Sequence, residues 1–102
     1  MEWYQYLSGF WAGFFLVNTI PHYVSGLQGR KFTTAFASPP GKGLSSPIMN
    51  IVWALINLFA GLGLFFAAKI TTNNWLSIIV FFIGVTLTSF YLSNRFGKQN
   101  RE

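Results

Sequence analysis

The stretch Ile48-Met49-Asn50-Ile51-Val52-Trp53-Ala54-Leu55-Ile56-Asn57-Leu58-Phe59-Ala60-Gly61-Leu62-Gly63-Leu64-Phe65-Phe66-Ala67-Ala68 carries no charge and only two side-chain amides. As an α-helix rising 1.5 Å per residue it covers a ~30 Å hydrocarbon core. Two further blocks of the same kind flank it, Trp3 to Ile20 and Trp75 to Ser93, so that three segments of roughly 18 to 21 residues each meet the length that a bilayer sets. With 52% apolar, 20% aromatic and only 9% charged residues, the chain falls well short of the roughly one quarter charged content of soluble domains. Nor does it contain amphipathic helices with which to cover three buried ones. The expectation is an all-α, integral membrane fold: one domain, 1–102, with transmembrane helices at about 3–20, 48–68 and 75–93 and a long loop over 21–47. The first block opens Met1-Glu2-Trp3-Tyr4 with no basic residues, and it reads as a retained anchor rather than a cleaved signal.

Basic residues collect in cytoplasmic loops. Arg30, Lys31 and Lys42 follow the first block, and Arg95, Lys98 and Arg101 follow the third, whereas the opposite side has Lys69 alone, with Glu2. This predicts an outside N-terminus and a cytoplasmic C-terminus, and it argues against insertion in both orientations. Trp3, Tyr4, Tyr6 and Trp75 at the outer ends, with Tyr23 and Tyr91 at the inner ones, match the preference of amphipathic rings for the interface. The net charge of +5 is accounted for by orientation, so nucleic acid is not expected as a partner; the bilayer is, with Arg30, Lys31, Lys42, Arg95 and Lys98 as candidate contacts to lipid phosphates.

The connection 21–47 holds all 4 prolines of the chain. Pro21 has no N–H to give to Val17, so the first span is expected to end or kink there; Ser46-Pro47 reads as an N-cap and first helical residue. Loops this long are usually functional or disordered, and Tyr23, Phe32 and Phe36 favour order. Phe32, Ala35 and Phe36 suit a turn or two of interfacial helix; the plainer alternative is a solvated loop. Pro39-Pro40-Gly41-Lys42-Gly43 lacks the glycine and the hydroxyl that a phosphate-binding P-loop needs.

Each block carries one polar stripe at helical spacing: Ser8, Ala12, Phe15, Thr19 and His22, with Asn18 beside them; Asn50, Ala54, Asn57 and Gly61; Ser77, Gly84, Thr88, Tyr91 and Arg95. Lipid offers no hydrogen-bond partners, so Asn18, Thr19, His22, Asn50, Asn57 and Thr88 form a candidate polar cluster, either a pocket open to the cytoplasm or simply bonds between helices. Gly9, Gly13, Gly61 and Gly84 are candidate sites of close helix packing.

The chain has no cysteine or aspartate, its glutamates are Glu2 and Glu102, and its one histidine is His22. That inventory excludes thiolate chemistry, paired-carboxylate hydrolysis, a Ser-His-Asp triad and a histidine/carboxylate metal cage, and it leaves the spans without the embedded carboxylate of a proton-coupled antiporter. No cofactor and no metal are expected.

From Asn18 to Asn57 the chain reads Asn-x-x-Pro-His-x-x-x-Gly-x-x-Gly-Arg-x-Phe, then Phe-Ala-Ser-Pro-Pro-Gly-x-Gly-x-Ser-Ser-Pro, then Asn-x-x-Trp-x-x-x-Asn. This pattern, covering about two fifths of the chain, resembles a family of small, uncharacterised bacterial integral membrane proteins. The resemblance implies a bacterial inner-membrane setting and supplies no activity. The expected function is that of a non-enzymatic accessory, assembly or interaction subunit whose cytoplasmic loop and polar helix faces contact a partner protein, a second copy or anionic lipid; the alternative is an oligomeric small transporter or channel subunit for a neutral or anionic solute.

Overall fold

The computed structural model describes residues 2–40 and 42–100. Gly41 of the loop and Arg101 of the basic tail lie outside the described residues. Three helices follow one another: α1 (Trp3–Leu27), α2 (Pro47–Ala68) and α3 (Trp75–Asn100). By length and composition α2, and α3 over Trp75–Lys98, can each cross a membrane, and only 22% of either apolar window is buried. In the core helix of a soluble protein most of that window would be covered. The hydropathy of α1 is lowered by Trp11, Asn18, Pro21 and His22.

The first helix does not end at Pro21. It runs through the proline to Leu27, so His22 belongs to a helix rather than to the loop. The stop comes at Gly29, whose φ of 69° is one that a residue with a Cβ rarely adopts. There the Gly29 N–H bonds the Gly26 carbonyl at 3.1 Å and the Arg30 N–H bonds that of Ser25 at 2.9 Å, the paired bonds that close a helix C-terminus on a left-handed glycine. At the start of α2, Ser46 Oγ accepts from the Met49 N–H at 3.1 Å, with Pro47 at the first helical position. The third helix extends past Ser93, and its first turn is capped by Asn74 Oδ1, which accepts from the Ser77 N–H at 3.3 Å.

α1 is the central element: α2 and α3 both pack along it, and they form no comparable interface with each other. The contacts follow small residues. Gly13 and Gly84 bring the backbones of α1 and α3 together; a Cβ on Gly13 would sit 2.7 Å from the Phe81 carbonyl oxygen, and one on Gly84 would overlap the carbonyl of Phe10. Between α1 and α2 the corresponding approach is Gly61 to Leu16, with Gly9 against Ala68.

The interior is polar and the perimeter is greasy. The largest fully buried side chains are Asn50, Asn57, Thr34 and Ser77, while Phe59, Phe66, Trp75, Phe82 and Phe90 are exposed. A water-soluble domain distributes these types the other way round. The molecule measures 44 × 24 × 22 Å, its long axis close to the ~40–45 Å of a bilayer with its headgroups.

Candidate functional site: a roofed cavity between the second and third helices

Because α2 and α3 lie on α1 without closing on each other, a cleft of about 550 Å³ opens between them. Its floor is α1, from Trp11 through Phe14, Phe15 and Asn18 to His22. Trp53 and Asn57 form one wall, and Tyr91, Leu92, Arg95 and Phe96 form the other. The loop contributes Thr33, Thr34, Ala35 and Pro40 as a roof. At the opposite end Phe65 of α2 meets Phe81 of α3 edge to face at 5.4 Å.

The roof is held by hydrogen bonds that begin on Asn50, which is wholly buried. Its Nδ2 lies 3.0 Å from the carbonyl oxygens of Phe32 and Ser46 and 3.3 Å from that of Ser45, so its two N–H groups are shared among three loop acceptors. Its Oδ1 therefore faces His22 Nδ1 at 3.0 Å, and an amide oxygen can only accept; Nδ1 is the donor, which leaves Nε2 of a neutral ring as an acceptor. Phe32 and Ser45 pair across the loop as an antiparallel bridge, with N–H to carbonyl distances of 3.2 and 2.8 Å, and Thr34 Oγ1 meets Ser45 Oγ at 2.6 Å.

Aromatic rings complete the seating. Phe32 meets Phe96 edge to face at 4.7 Å and His22 at a tilt at 5.4 Å, and Phe36 meets Trp53 edge to face at 5.3 Å. The interfacial helix expected around Phe32 to Phe36 is absent; bends and turns occupy 35–40, because Phe32 is drawn inward by Phe96 and the bridge to Ser45 fixes its backbone as extended.

The expected polar cluster divides in two. Asn18, His22 and Asn57 line the cavity, and Asn18 Nδ2 donates to Asn57 Oδ1 at 2.9 Å while Asn57 Nδ2 donates to the Trp53 carbonyl at 2.8 Å. Thr19 bonds the Phe15 carbonyl of its own helix at 2.9 Å, Asn50 is committed to the loop, and Thr88 is buried on α3 away from the cavity lining. Of the five candidate phosphate contacts, Arg30, Lys31, Lys42 and Lys98 are exposed, whereas Arg95 is half-buried in the cavity wall with its guanidinium 5.6 Å from the Phe96 ring centre. Sequence reasoning did not single out Thr33. Its Oγ1 is buried without a hydrogen-bond partner among the described residues, and the residue is 3% exposed; a threonine in a polar loop carries no periodicity that would have marked it.

Among the described residues no carboxylate lines this space, and its ionisable side chains are His22, Tyr91 and Arg95. Among the described residues no group of three His, Cys, Asp or Glu side chains is placed to hold a metal. The cavity can therefore bind and orient a molecule with an apolar body and a polar or anionic end. No protein-family model, curated protein or solved structure matches the chain.

Proposed function

We propose that this chain is a non-enzymatic, three-span membrane protein, N-terminus outside and C-terminus cytoplasmic, that holds an amphipathic ligand in the cavity between α2 and α3. It serves as an accessory or assembly subunit whose roofed cytoplasmic face is the part presented to partners. The observation that carries this reading is the loop itself: two buried side chains, Asn50 and His22, tie it down over a mostly apolar cleft, an arrangement that a mere connection between spans does not require.

Several features support the membrane setting. α1 is as long as its neighbours, sits between two helices suited to a bilayer, and exposes Leu7, Trp11, Ile20 and Val24. Arg30, Lys31, Lys42, Arg95 and Lys98 fall on the roofed side and Lys69 at the other end, as the charge rule for cytoplasmic loops asks. The family resemblance of Asn18 to Asn57 supports the bacterial inner membrane. The non-enzymatic reading is supported by a cavity lining that, among the described residues, includes no carboxylate or thiol.

The test is native mass spectrometry of the protein extracted from its membrane in mild detergent. A retained amphiphile, stoichiometric with the chain and surviving detergent exchange, is expected. A bare chain that also fails to take up added lipid would overturn the reading.

A further inference from the structure

Resting on the ligand cavity proposed above, we infer that its occupant is an anionic phospholipid of the cytoplasmic leaflet, one acyl chain lying on α1 and the phosphate received by Arg95 and Thr33. Three observations converge. First, the floor from Trp11 to His22 extends ~16 Å along the helix axis, which is half of a ~30 Å hydrocarbon core, the depth of one leaflet. It is made of Trp11, Phe14 and Phe15 towards the middle of the helix, an apolar surface that suits a hydrocarbon chain and not a small hydrophilic anion. Second, the deeper polar pair, Asn18 and Asn57, is bonded to itself, whereas the roofed end holds a polar group with no such partner. The Thr33 hydroxyl is buried and unpartnered among the described residues, and a buried donor without an acceptor is costly unless a ligand supplies one. Third, among the described residues of the lining the formal charge is the Arg95 guanidinium, whose five N–H donors allow it to meet more than one acceptor. A guanidinium and a hydroxyl are both donors, and a phosphodiester offers only acceptors.

The cleft also has a route of entry, since α2 and α3 are not packed against each other along it. A chain already in the bilayer reaches the floor sideways, between the two helices.

Trp53 in the cavity wall provides the readout. In a Trp3→Phe, Trp11→Phe, Trp75→Phe background, detergent-solubilised protein is titrated with phosphatidylglycerol or phosphatidylcholine carrying a brominated acyl chain, which quenches nearby indole fluorescence. Phosphatidylglycerol is expected to quench at about tenfold lower concentration, because phosphatidylcholine carries the same phosphodiester but its quaternary ammonium offsets the negative charge that Arg95 meets. Arg95→Gln with Thr33→Val is expected to abolish that preference while leaving quenching by phosphatidylcholine in place, and Lys98→Gln, which removes an exposed charge from the same helix, is expected to leave the preference intact. Equal quenching by the two lipids, or equal loss of preference in Lys98→Gln, overturns the headgroup assignment and leaves the cavity reading standing. No saturable quenching by either lipid overturns both.

Discussion

Asn50 and His22, 28 positions apart in the chain, meet through a 3.0 Å hydrogen bond between Oδ1 and Nδ1. The same amide also holds the carbonyls of Phe32, Ser45 and Ser46. One side chain in the first turn of α2 thus fastens the end of α1 and both sides of the bridge between Phe32 and Ser45.

Asn50→Leu keeps the branching at Cγ and removes every one of these bonds. It is expected to destabilise the protein by about 1–3 kcal/mol, the range for buried polar groups left without partners, and to raise hydrogen exchange at the Phe32 and Ser45 amides, which now pair with each other's carbonyls. Asn50→Asp is expected to be worse, because an ionised carboxylate would face three carbonyl oxygens with nothing to donate. Exchange mass spectrometry in detergent checks both.

At the crossing of α1 and α3, Gly84→Ala and Gly13→Ala both drive a methyl group into main-chain atoms of the opposite helix. Each is expected to cost about 1–3 kcal/mol as overpacking and to lower the thermal unfolding midpoint. Gly63→Ala is the counter-case. Nothing lies within 4 Å of its added Cβ, so the gain in helix propensity of about 0.5–1 kcal/mol is expected to leave the midpoint unchanged or raised.

Asn18 and Asn57 form the side-chain bond between α1 and α2 deep in the cavity. A double-mutant cycle with alanine is expected to return a coupling of about 0.6 kcal/mol, typical of polar contacts between membrane helices. Asn57→Ala alone is expected to cost more than Asn18→Ala, since Asn57 is 1% exposed and its amide also serves the Trp53 carbonyl.

The chain's lack of cysteine makes its orientation directly measurable. Single cysteines at Glu2, Lys42 and Asn73, all exposed, are to be labelled in intact cells with a membrane-impermeant maleimide. Glu2→Cys and Asn73→Cys are expected to react at once, and Lys42→Cys only after permeabilisation. Reaction of Lys42→Cys with the same sidedness as either of the others would eliminate the corresponding span.

Much of the helical layout was legible because apolar length and small-residue spacing are local signals. The starts of α2 and α3 fell where the apolar runs placed them, and Ser46-Pro47 behaves as its chemistry dictates. The end of α1 was misread at Pro21. Membrane helices tolerate proline when neighbouring groups compensate, and the decisive stop signal was Gly29, whose left-handed conformation closes the helix. The cavity was only half visible. Polar periodicity marked Asn18, His22 and Asn57, but the roof depends on contacts between Phe32 and Phe96 and between Asn50 and three loop carbonyls, and such pairings across the chain leave no periodic trace. Thr33 became notable only once its hydroxyl was seen to lack an acceptor.

The glycine crossing also gives the molecule a mechanical character. Gly13 and Gly84 put α1 and α3 in backbone contact at one level, while Phe96 lies ~18 Å further along α3. The helix is therefore tied at two levels, by main-chain contact at Gly84 and by the Phe96 ring, whose centre lies 6.3 Å from that of His22 on α1. The cleft wall from Tyr91 to Arg95 lies between these two ties, so its distance from α2 is fixed from both ends.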